Sequence, residues 1–198
     1  MPLYYGNTQV KELYYNNTKV KELYYNNTLV YKDIPLSGTL AVGNIVTFDD
    51  KQWRVVHNDS NLWYLGLEIV DGHATYANAT YEDTYYNGSN LRQTCINYLN
   101  TFSTEAQSIM QSVRIQATLT DVSDKVFIPT RTMVVTTFSY YNSNERRIAK
   151  NSSGNAVTWW LSSGISGADE VQRAGNISKV DNPYSMSSGF RPHICIQV

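Results

Sequence analysis

The strongest constraint on the fold comes from the C-terminal part of the sequence, where two apolar blocks enclose a long polar segment. Trp159, Trp160 and Leu161 form the first block. The second covers residues 190–198, in which apolar residues alternate with others as in a half-buried strand. Residues 162–189 between the blocks are mostly Ser, Gly, Asn, Asp and other small polar residues. A segment of this length inside a compact domain is expected either to bind something or to be disordered.

A few apolar residues recur inside the polar segment and argue against disorder. They are Ile165, Val171, Ile177 and Val180. We therefore predict a hairpin over residues 170–180 that turns at Ala174-Gly175-Asn176, with a loop on either side that points its side chains outward. Polar loops held by fixed strands are typical of a recognition surface.

The side chains that we expect this surface to display are polar, aromatic or flexible. They are Ser163, Ser166, Asp169, Gln172, Arg173, Asn176, Ser178, Lys179, Asp181, Asn182, Tyr184 and Met186. Tyr, Ser, Asn and Arg are the residues of adaptable binding surfaces, in which a few aromatic anchors accompany many short hydrogen-bonding groups. The alternative is a solvated loop without a ligand.

Two short motifs bound the polar segment. The first reads WWLSS from Trp159, and the second reads GFRP from Gly189, with the turn glycine Gly175 between them. This arrangement resembles the ending of the C-type-lectin-fold variable proteins of diversity-generating retroelements, and of related lectin-like domains in phage structural proteins. The chain departs from that pattern at Ser162, where the family usually has Arg, and at Phe190, where it usually has Val.

The resemblance implies an α+β, C-type-lectin-like fold over residues 38–198, with mixed antiparallel sheets, two short helices and long display loops. It also implies that the residues between the two motifs are exchanged to change the ligand. Both tryptophans are expected to be structural, because a strand directs neighbouring side chains to opposite faces and each indole stabilises the fold by burial. Arg191 is expected to pair internally and hold the terminal strand.

The sequence between residues 40 and 130 also predicts regular elements. Strands are predicted at residues 45–48, 52–56, 62–70, 113–118 and 125–129, with a turn at Asp49-Asp50 and a break at residues 57–60. Ser89 is a candidate N-cap for a helix that carries Leu91, Cys95, Leu99 and Phe102 on one face. A second short helix is predicted from Thr104, which begins a capping-box pattern.

Residues 3–32 contain three near-identical units of ten residues: LYYGNTQVKE, LYYNNTKVKE and LYYNNTLVYK. Each unit predicts a small hairpin with a two-residue turn, at Gly6-Asn7, Asn16-Asn17 and Asn26-Asn27, so that Leu3 would face Val10 and Tyr5 would face Thr8. Strands this short do not bury an apolar face alone. We expect residues 1–33 to form a β-repeat stalk that anchors the chain, either as a homotrimer or by packing on other virion proteins. A low-complexity tail is the alternative, and residues 34–37 read as a linker.

Composition limits the classes of function. The formal net charge is −1 and the basic residues are scattered, whereas nucleic-acid binding requires a basic face. The chain has neither a secretory signal pattern nor an apolar run of membrane-spanning length. We expect a protein made in a bacterial cytoplasm that reaches the outside by assembly into a particle. Cys95 and Cys195 are expected to be buried free thiols, although a bridge between them stays possible.

The sequence gives little support to catalysis or to a metal site. His57, His73 and His193 are far apart, and none has a ligand spacing with Cys or carboxylates. Calcium-dependent lectins usually carry a Glu-Pro-Asn or Gln-Pro-Asp motif and a Trp-Asn-Asp motif. Neither occurs in this sequence. We expect no cofactor, no metal and no enzyme activity.

These observations lead to one expected function and to alternatives. The expectation is a non-catalytic receptor-binding protein or adhesin on the surface of a phage virion, at the tail tip, tail fibre or capsid. Its partners would be a host-surface protein or glycan and, through residues 1–33, other virion proteins. The alternatives are a capsid decoration or head-fibre protein without a specific ligand, and a bacterial surface adhesin.

Overall fold

The computed structural model describes residues 4–5, 8–9, 13–20, 22–26, 28–32, 36–76, 86–116, 121–162, 168–180 and 187–197. The chain separates into two compact units, Met1–Pro35 and Leu36–Val198. Within the described ranges, no helix is long and apolar enough to cross a membrane.

The N-terminal unit contains a small antiparallel hairpin in each of its repeats. Its strands are β1 (Tyr4–Tyr5), β2 (Thr8–Gln9), β3 (Tyr14–Tyr15), β4 (Thr18–Lys19), β5 (Glu22–Tyr25) and β6 (Thr28–Lys32). In the second hairpin Tyr15 faces Thr18 across Asn16 and Asn17, whose φ angles are 48° and 60°. Two successive left-handed residues define the tight hairpin turn that Asn favours, which is why the repeated Asn-Asn pair produces this structure.

The pairing within the repeats follows the sequence prediction in the second unit and departs from it in the third. The backbone N–H of Val20 donates to the Leu13 carbonyl at 2.7 Å, as the facing of Leu and Val in the repeat predicts. In the third hairpin the register shifts between Leu23 and Tyr24, so Leu23 faces Tyr31 instead of the next valine. A bulge adds one residue on one strand and displaces the later partners by one position. Leu3 and Val10 lie outside the described residues.

The C-terminal unit is rich in strands and contains few helices. Its strands are β7 (Leu36–Ser37), β8 (Ile45–Phe48), β9 (Lys51–Asp59), β10 (Leu62–Leu67), β11 (His73–Thr75), β12 (Met110–Gln111), β13 (Val113–Ile115), β14 (Val122–Asp124), β15 (Val126–Phe127), β16 (Ala149–Lys150), β17 (Ala156–Val157), β18 (Trp159–Leu161), β19 (Ala168–Val171), β20 (Ile177–Val180), β21 (Ser187–Gly189) and β22 (His193–Gln197). Its α-helices are α1 (Asn90–Leu99), α2 (Thr104–Ile109) and α3 (Asn144–Arg147), accompanied by 3-10 turns at Tyr86–Gly88 and Ser139–Tyr141 and a π-helical turn at Met133–Thr137. This composition is that of an α+β protein, as predicted.

The larger sheet has seven strands, in the order β12, β22, β10, β9, β8, β7, with β15 also paired to β22. Strand β22 therefore lies inside the sheet, and Ile194 and Ile196 are fully buried. At the opposite edge Leu36 faces Phe48 and Ser37 faces Thr47. Leu36 and Ser37 belong to this sheet, which corrects their assignment to the linker: the apolar Leu36 packs against the core instead of bridging two domains.

The predicted strands at the start of this unit are present, but two boundaries are wrong: β9 runs beyond residue 56, and β10 ends at Leu67 instead of Val70. Asp49 and Asp50 form the tight turn between β8 and β9, with φ angles of 49° and 61°. Strand β9 then continues through the predicted break at residues 57–60 and ends at Asp59, because His57 pairs with Tyr64 and extends the ladder. Pairing along a neighbouring strand thus overrides the polar composition of this stretch.

The two predicted helices are confirmed, with a different cap on the second. Ser89 lies before α1 and its Oγ accepts the N–H of Arg92 at 3.1 Å, as predicted. The cap of α2 is Ser103, whose Oγ accepts the N–H of Ala106 at 3.1 Å, instead of Thr104. Both Ser and Thr suit the cap position of a helix. The Asp49 carboxylate favours Ser103, because it accepts a hydrogen bond from the Ser103 hydroxyl at 2.6 Å. The one-turn helix α3 was not predicted.

The second sheet has five strands, in the order β11, β21, β18, β19, β20. Only β18 and β21 run parallel among these pairs. The block that begins at Trp159 forms the central strand β18, and both tryptophans are fully buried. The Nε1 of Trp159 donates to the Arg147 carbonyl at 3.0 Å, and that of Trp160 donates to the Ala74 carbonyl at 2.7 Å. The expectation that both are structural is confirmed.

Arg191 lies in the short connection between β21 of one sheet and β22 of the other. Its side chain is buried, and its Nε donates to the Leu67 carbonyl at 3.0 Å. The guanidinium lies 5.0 Å from the ring centre of Trp159 and 5.3 Å from that of Tyr141. A buried cation needs such partners, because removing it from water is otherwise costly. The predicted internal role of Arg191 is confirmed.

His193 follows Arg191 and is enclosed by the same aromatic residues. The hydroxyl of Tyr141 lies 2.8 Å from its Nε2, and the Arg191 carbonyl lies 3.2 Å from its Nδ1. A carbonyl only accepts, so Nδ1 carries the proton and Nε2 accepts from the tyrosine hydroxyl. Burial lowers the pKa of the imidazole well below its usual value, and the nearby charge of Arg191 lowers the pKa further. His193 is therefore neutral in the folded protein.

A neutral buried histidine makes stability depend on pH in a defined window. Below about pH 6.5 the unfolded chain protonates this imidazole while the folded chain does not, so acidification favours unfolding. We expect the free energy of unfolding to fall by about 1 kcal/mol between pH 6.5 and 5.5 from this group, since one pKa unit corresponds to about 1.4 kcal/mol. Urea denaturation at both pH values, with His193→Gln as the comparison, measures this. If the free energy of unfolding falls equally between the two pH values for the native chain and the variant, His193 is not the cause of the fall.

Candidate ligand-binding surface

Strands β19 and β20 form the hairpin that the sequence predicts. Ala168 faces Val180 and Val171 faces Ile177, so the strands pair along their whole length. The backbone N–H of Gln172 donates to the Asn176 carbonyl at 2.9 Å, and that of Gly175 donates to the Gln172 carbonyl at 2.8 Å. These bonds close a short turn in which Arg173 is at the tip and exposed to solvent. The hairpin is thus a fixed support for the side chains on it.

Gly175 fixes the position of this turn against the rest of the domain. Its φ of +84° lies in the left-handed region, which a residue with a Cβ adopts only at a cost. A Cβ at this position would lie 1.8 Å from the carbonyl oxygen of Asn144, in α3. The turn therefore packs its bare backbone directly on the backbone of α3. No other residue fits there without displacing one of the two elements.

The structure exposes several of the residues predicted for display. Arg173, Asn176 and Lys179 are exposed, whereas Gln172 and Ser178 are half-buried. The Nδ2 of Asn176 donates to Oε1 of Gln172 at 2.6 Å, so these two side chains stabilise the turn as well as facing solvent. The remaining predicted residues lie outside the described part of the chain: Ser163, Ser166, Asp181, Asn182, Tyr184 and Met186.

Asp169 is a correction to the predicted set, because its side chain is buried instead of displayed. It faces Leu161 on the neighbouring strand, a position that points into the domain. Nη1 of Arg131 lies 3.5 Å from its carboxylate and forms an ion pair with it. The sequence suggested display because Asp is usually exposed, but β19 lies between β18 and β20 and all four of its residues are buried.

A groove of about 570 Å³ lies beside the turn. It is lined by His73, Asn151, Asn155, Ala156, Val157 and Arg173. Three separate parts of the chain supply these residues, namely the start of β11, the β16–β17 turn and the β19–β20 turn. The volume is within the range of small-ligand sites, which is roughly 300 to 1,000 Å³. Of the described residues that were predicted for display, Arg173 lines it.

The β16–β17 turn that forms one wall of the groove is held by its own asparagines. The N–H of Asn151 donates to the Asn155 carbonyl at 3.0 Å, and Oδ1 of Asn151 accepts the N–H of Asn155 at 2.9 Å. On the far side, the Asp71 carboxylate accepts the N–H of Ser152 at 2.8 Å. These bonds leave the Asn155 side chain exposed at the rim. The turn is therefore held in place without a contribution from the side-chain amide of Asn155.

Sequence reasoning missed His73, Asn151 and Asn155 as members of the site. The stretch Asn151-Ser-Ser-Gly-Asn155 carries clear turn chemistry, which indicates a surface loop but not its neighbours. Its closeness to Arg173 depends on how β16–β17 and β19–β20 pack within the domain. No local pattern gives that packing.

Asn151 also lines a second depression of about 460 Å³ on its other side, which reaches Arg54, Glu68 and Tyr140. There the guanidinium of Arg54 makes two hydrogen bonds with Glu68, at 3.0 and 2.5 Å, and lies 5.4 Å from the Tyr140 ring centre. The charge of this arginine is therefore already compensated. Arg173, at the groove, is exposed, and no acidic partner for it lies among the residues that the structure describes.

The other face of the second sheet carries buried polar groups close to Trp160. Oγ of Ser188 donates to the Glu170 carboxylate at 3.2 Å, and both side chains are buried. The hydroxyls of Tyr76 and Ser162 are buried and have no hydrogen-bond partner among the described residues. Burial raises the pKa of Tyr76, and Asp169 raises it further, so this hydroxyl stays protonated as a donor. Such groups in native proteins usually contact water or another polar group.

The two cysteines are in surroundings that do not activate their thiols. Cys95 and Cys195 are free and buried, and burial raises the pKa of their thiols to about 12 and about 11. A thiol becomes nucleophilic when its pKa is lowered, so both are inert at neutral pH. In the described ranges no three His, Cys, Asp or Glu side chains lie together as metal ligands would.

The fold and this surface together define a sheet-rich α+β domain that presents a polar hairpin beside an open, polar groove. The family model described as "Domain of unknown function (DUF6273)" matches residues 60–198, and the chain belongs to this family. The matched range includes every residue that lines the groove and the whole hairpin. No match was found among curated proteins or among solved structures.

Proposed function

We propose that the protein is a non-catalytic ligand-binding module, with a C-type-lectin-like domain, on the surface of a phage virion. The observation that carries the proposal is the fixed hairpin that holds Arg173 at the edge of a groove, exposed and without an acidic partner among the described residues. Isolated surface arginines are common, but one held on a rigid turn beside a cavity is arranged for contact with a ligand. The protein thus binds a host-surface partner and contributes to attachment.

The division of roles along the C-terminal sequence supports this proposal. The flanking motifs are buried: Trp159, Trp160 and Arg191 all lie in the core. The hairpin between them exposes Arg173, Asn176 and Lys179. A fixed frame that carries exchangeable polar side chains matches the organisation of the retroelement-diversified variable proteins that the sequence resembles. In such a frame, changing the exposed residues alters the ligand and leaves the core intact.

We also propose that residues 1–33 anchor the module, as a homotrimer or on other virion proteins at the tail tip, tail fibre or capsid. Tyr14, Tyr15, Tyr24 and Tyr25 are all exposed in the N-terminal unit. Rows of exposed aromatic side chains on short hairpins are stabilised when another surface covers them. Assembly would bring several weak sites to one target and raise the overall affinity by about a hundredfold or more.

The proposal predicts that removing the positive charges of the hairpin weakens attachment. We expect Arg173→Ala with Lys179→Ala to weaken binding of the labelled full-length chain to bacterial envelopes by about tenfold or more, since a few central residues dominate binding. Arg114→Ala, an exposed arginine on β13 outside the groove, is the matched control and is expected to leave binding unchanged. Flow cytometry on a panel of bacterial cells measures binding, and light scattering of the same samples checks the trimer.

Two results contradict the proposal. The first is a native chain that binds none of the envelopes, and the second is a double variant that binds as well as the control. If particles carrying the double variant also assemble normally and adsorb normally, a structural role as a decoration or head-fibre protein is favoured instead.

A further inference from the structure

The chemical character of the groove is set by the groups that line it. Arg173 and His73 offer nitrogen donors, and Asn151 and Asn155 offer amide groups. Among the described residues that line the groove, none has a carboxylate. The Asp71 carboxylate lies outside this lining, where it accepts the N–H of Ser152. The groove therefore favours a ligand with negative charge and further hydrogen-bonding oxygens.

The guanidinium of Arg173 is the strongest of these groups. It has five N–H donors in a planar fork, which match the oxygens of a carboxylate or a phosphate in two parallel bonds. Arg54, the other arginine near Asn151, is already paired with Glu68 in this way. Lys150, which lines the adjoining depression next to Asn151, adds a second exposed cation close to the groove. Glu145 lines that same depression, so the positive charge of the groove lining itself comes from Arg173.

The remaining lining indicates which kind of anion fits. Ala156 and Val157 are the apolar residues among those described at the groove, and both are small and half-buried. Protein partners usually bind through aromatic or large apolar anchors in a desolvated pocket, and the described lining has no such pocket. An Asn amide, by contrast, both donates and accepts, which suits the hydroxyl groups of a sugar.

We propose that this groove binds an anionic carbohydrate, with Arg173 holding a carboxylate or phosphate group of the sugar while Asn151 and Asn155 bind neighbouring hydroxyls. This inference rests on the proposed function and names its ligand class. The binding energy at one groove is small, because the site is open and polar. A surface polysaccharide repeats the same sugar many times, so an assembly with several grooves binds it at several points at once.

The inference is tested with full-length protein and defined probes on a glycan array, followed by calorimetry. The probes are an oligogalacturonate for the carboxylate sugar, a phosphomannan for the phosphate sugar, a neutral malto-oligosaccharide of similar length and an oligoglutamate peptide. We expect binding to at least one anionic sugar and not to the neutral one, with affinity that falls as salt increases. The anionic probe that binds shows whether Arg173 holds a carboxylate or a phosphate group.

Variants of exposed residues make the test specific. Arg173→Ala is expected to weaken binding by about tenfold, and Arg173→Lys to restore part of it, since a point charge replaces the planar fork. Asn155→Asp is expected to weaken binding by about tenfold, because it places a negative charge in the groove that repels the anionic sugar. Arg114→Ala is the control. Each variant is checked for an unchanged unfolding temperature.

Several outcomes overturn the inference and separate it from the proposed function. Equal binding of the neutral sugar, preferential binding of the acidic peptide, or insensitivity to Asn155→Asp removes the anionic-carbohydrate assignment. If envelope binding depends on Arg173 but neither anionic sugar binds or competes, the ligand class is wrong and the proposed function stands. If envelope binding is also independent of Arg173 and Lys179, both fail.

Discussion

Replacing Gly175 by alanine is expected to destabilise the C-terminal unit by about 3 kcal/mol or more. Two costs add: a Cβ in the left-handed region costs about 1–2 kcal/mol, and overpacking costs a further 1–3 kcal/mol. The second cost is unavoidable because the new carbon would lie 1.8 Å from the Asn144 carbonyl oxygen. Urea denaturation followed by circular dichroism measures the change. The same variant is expected to lose ligand binding, because relief of the clash moves Arg173 away from the groove.

Gly154 provides a matched comparison within the same protein. Its φ is +81°, close to that of Gly175, yet nothing lies within 4 Å of a Cβ placed there. Gly154→Ala therefore suffers the backbone cost alone, about 1 kcal/mol. If the two variants lose equal stability, the close approach of the hairpin turn to α3 does not exist in solution.

The second large effect is expected from Trp159→Ala, which we predict to cost about 4 kcal/mol, as large aromatic deletions in cores do. The indole is fully buried, donates to the Arg147 carbonyl and supports the guanidinium of Arg191 at 5.0 Å. Its loss removes packing and also exposes the aromatic contacts around His193. Because a domain of this size has roughly 5–15 kcal/mol of stability in total, the variant is expected to be partly unfolded at 37 °C. Thermal unfolding followed by circular dichroism measures this.

Two substitutions show whether the loss comes from burial. Trp63→Ala removes an equally large side chain that is only half-buried on β10, and about 1–2 kcal/mol is expected. Trp159→Phe keeps an aromatic ring in the stack but loses the hydrogen-bond donor, so an intermediate loss is expected. A Trp159→Ala variant as stable as Trp63→Ala would mean that the two sheets are not joined through this residue.

The sequence predicted those elements whose signal is local. The N-cap Ser89, the Asp49-Asp50 turn and the hairpin around Gly175 all follow from residues within a few positions of one another. The burial of Trp159 and Trp160 follows from their apolar character alone. Each of these features depends on the conformational preference or hydrophobicity of the residues themselves. Such properties do not require knowledge of the neighbouring strands.

The features that sequence reasoning missed depend on distant parts of the chain. The burial of Asp169 results from the place of β19 between β18 and β20, where all four residues of the strand are buried. The groove exists because His73, Asn155 and Arg173 meet, although they belong to three separate elements. Strand β9 extends past polar residues because β10 pairs with it. Pairing and packing across the domain, rather than composition, decide these cases.

The position of β22 inside the larger sheet has a consequence for the order in which the protein is built. Its partner β10 also pairs with β9, but β12 and β15 pair with no other strand in the described part of the chain and are synthesised well before residues 193–197. Pairing of strands so distant in sequence makes folding slow, because a long loop must close before any contact rewards it. Nascent chains therefore carry unpaired strand edges until translation reaches Gln197.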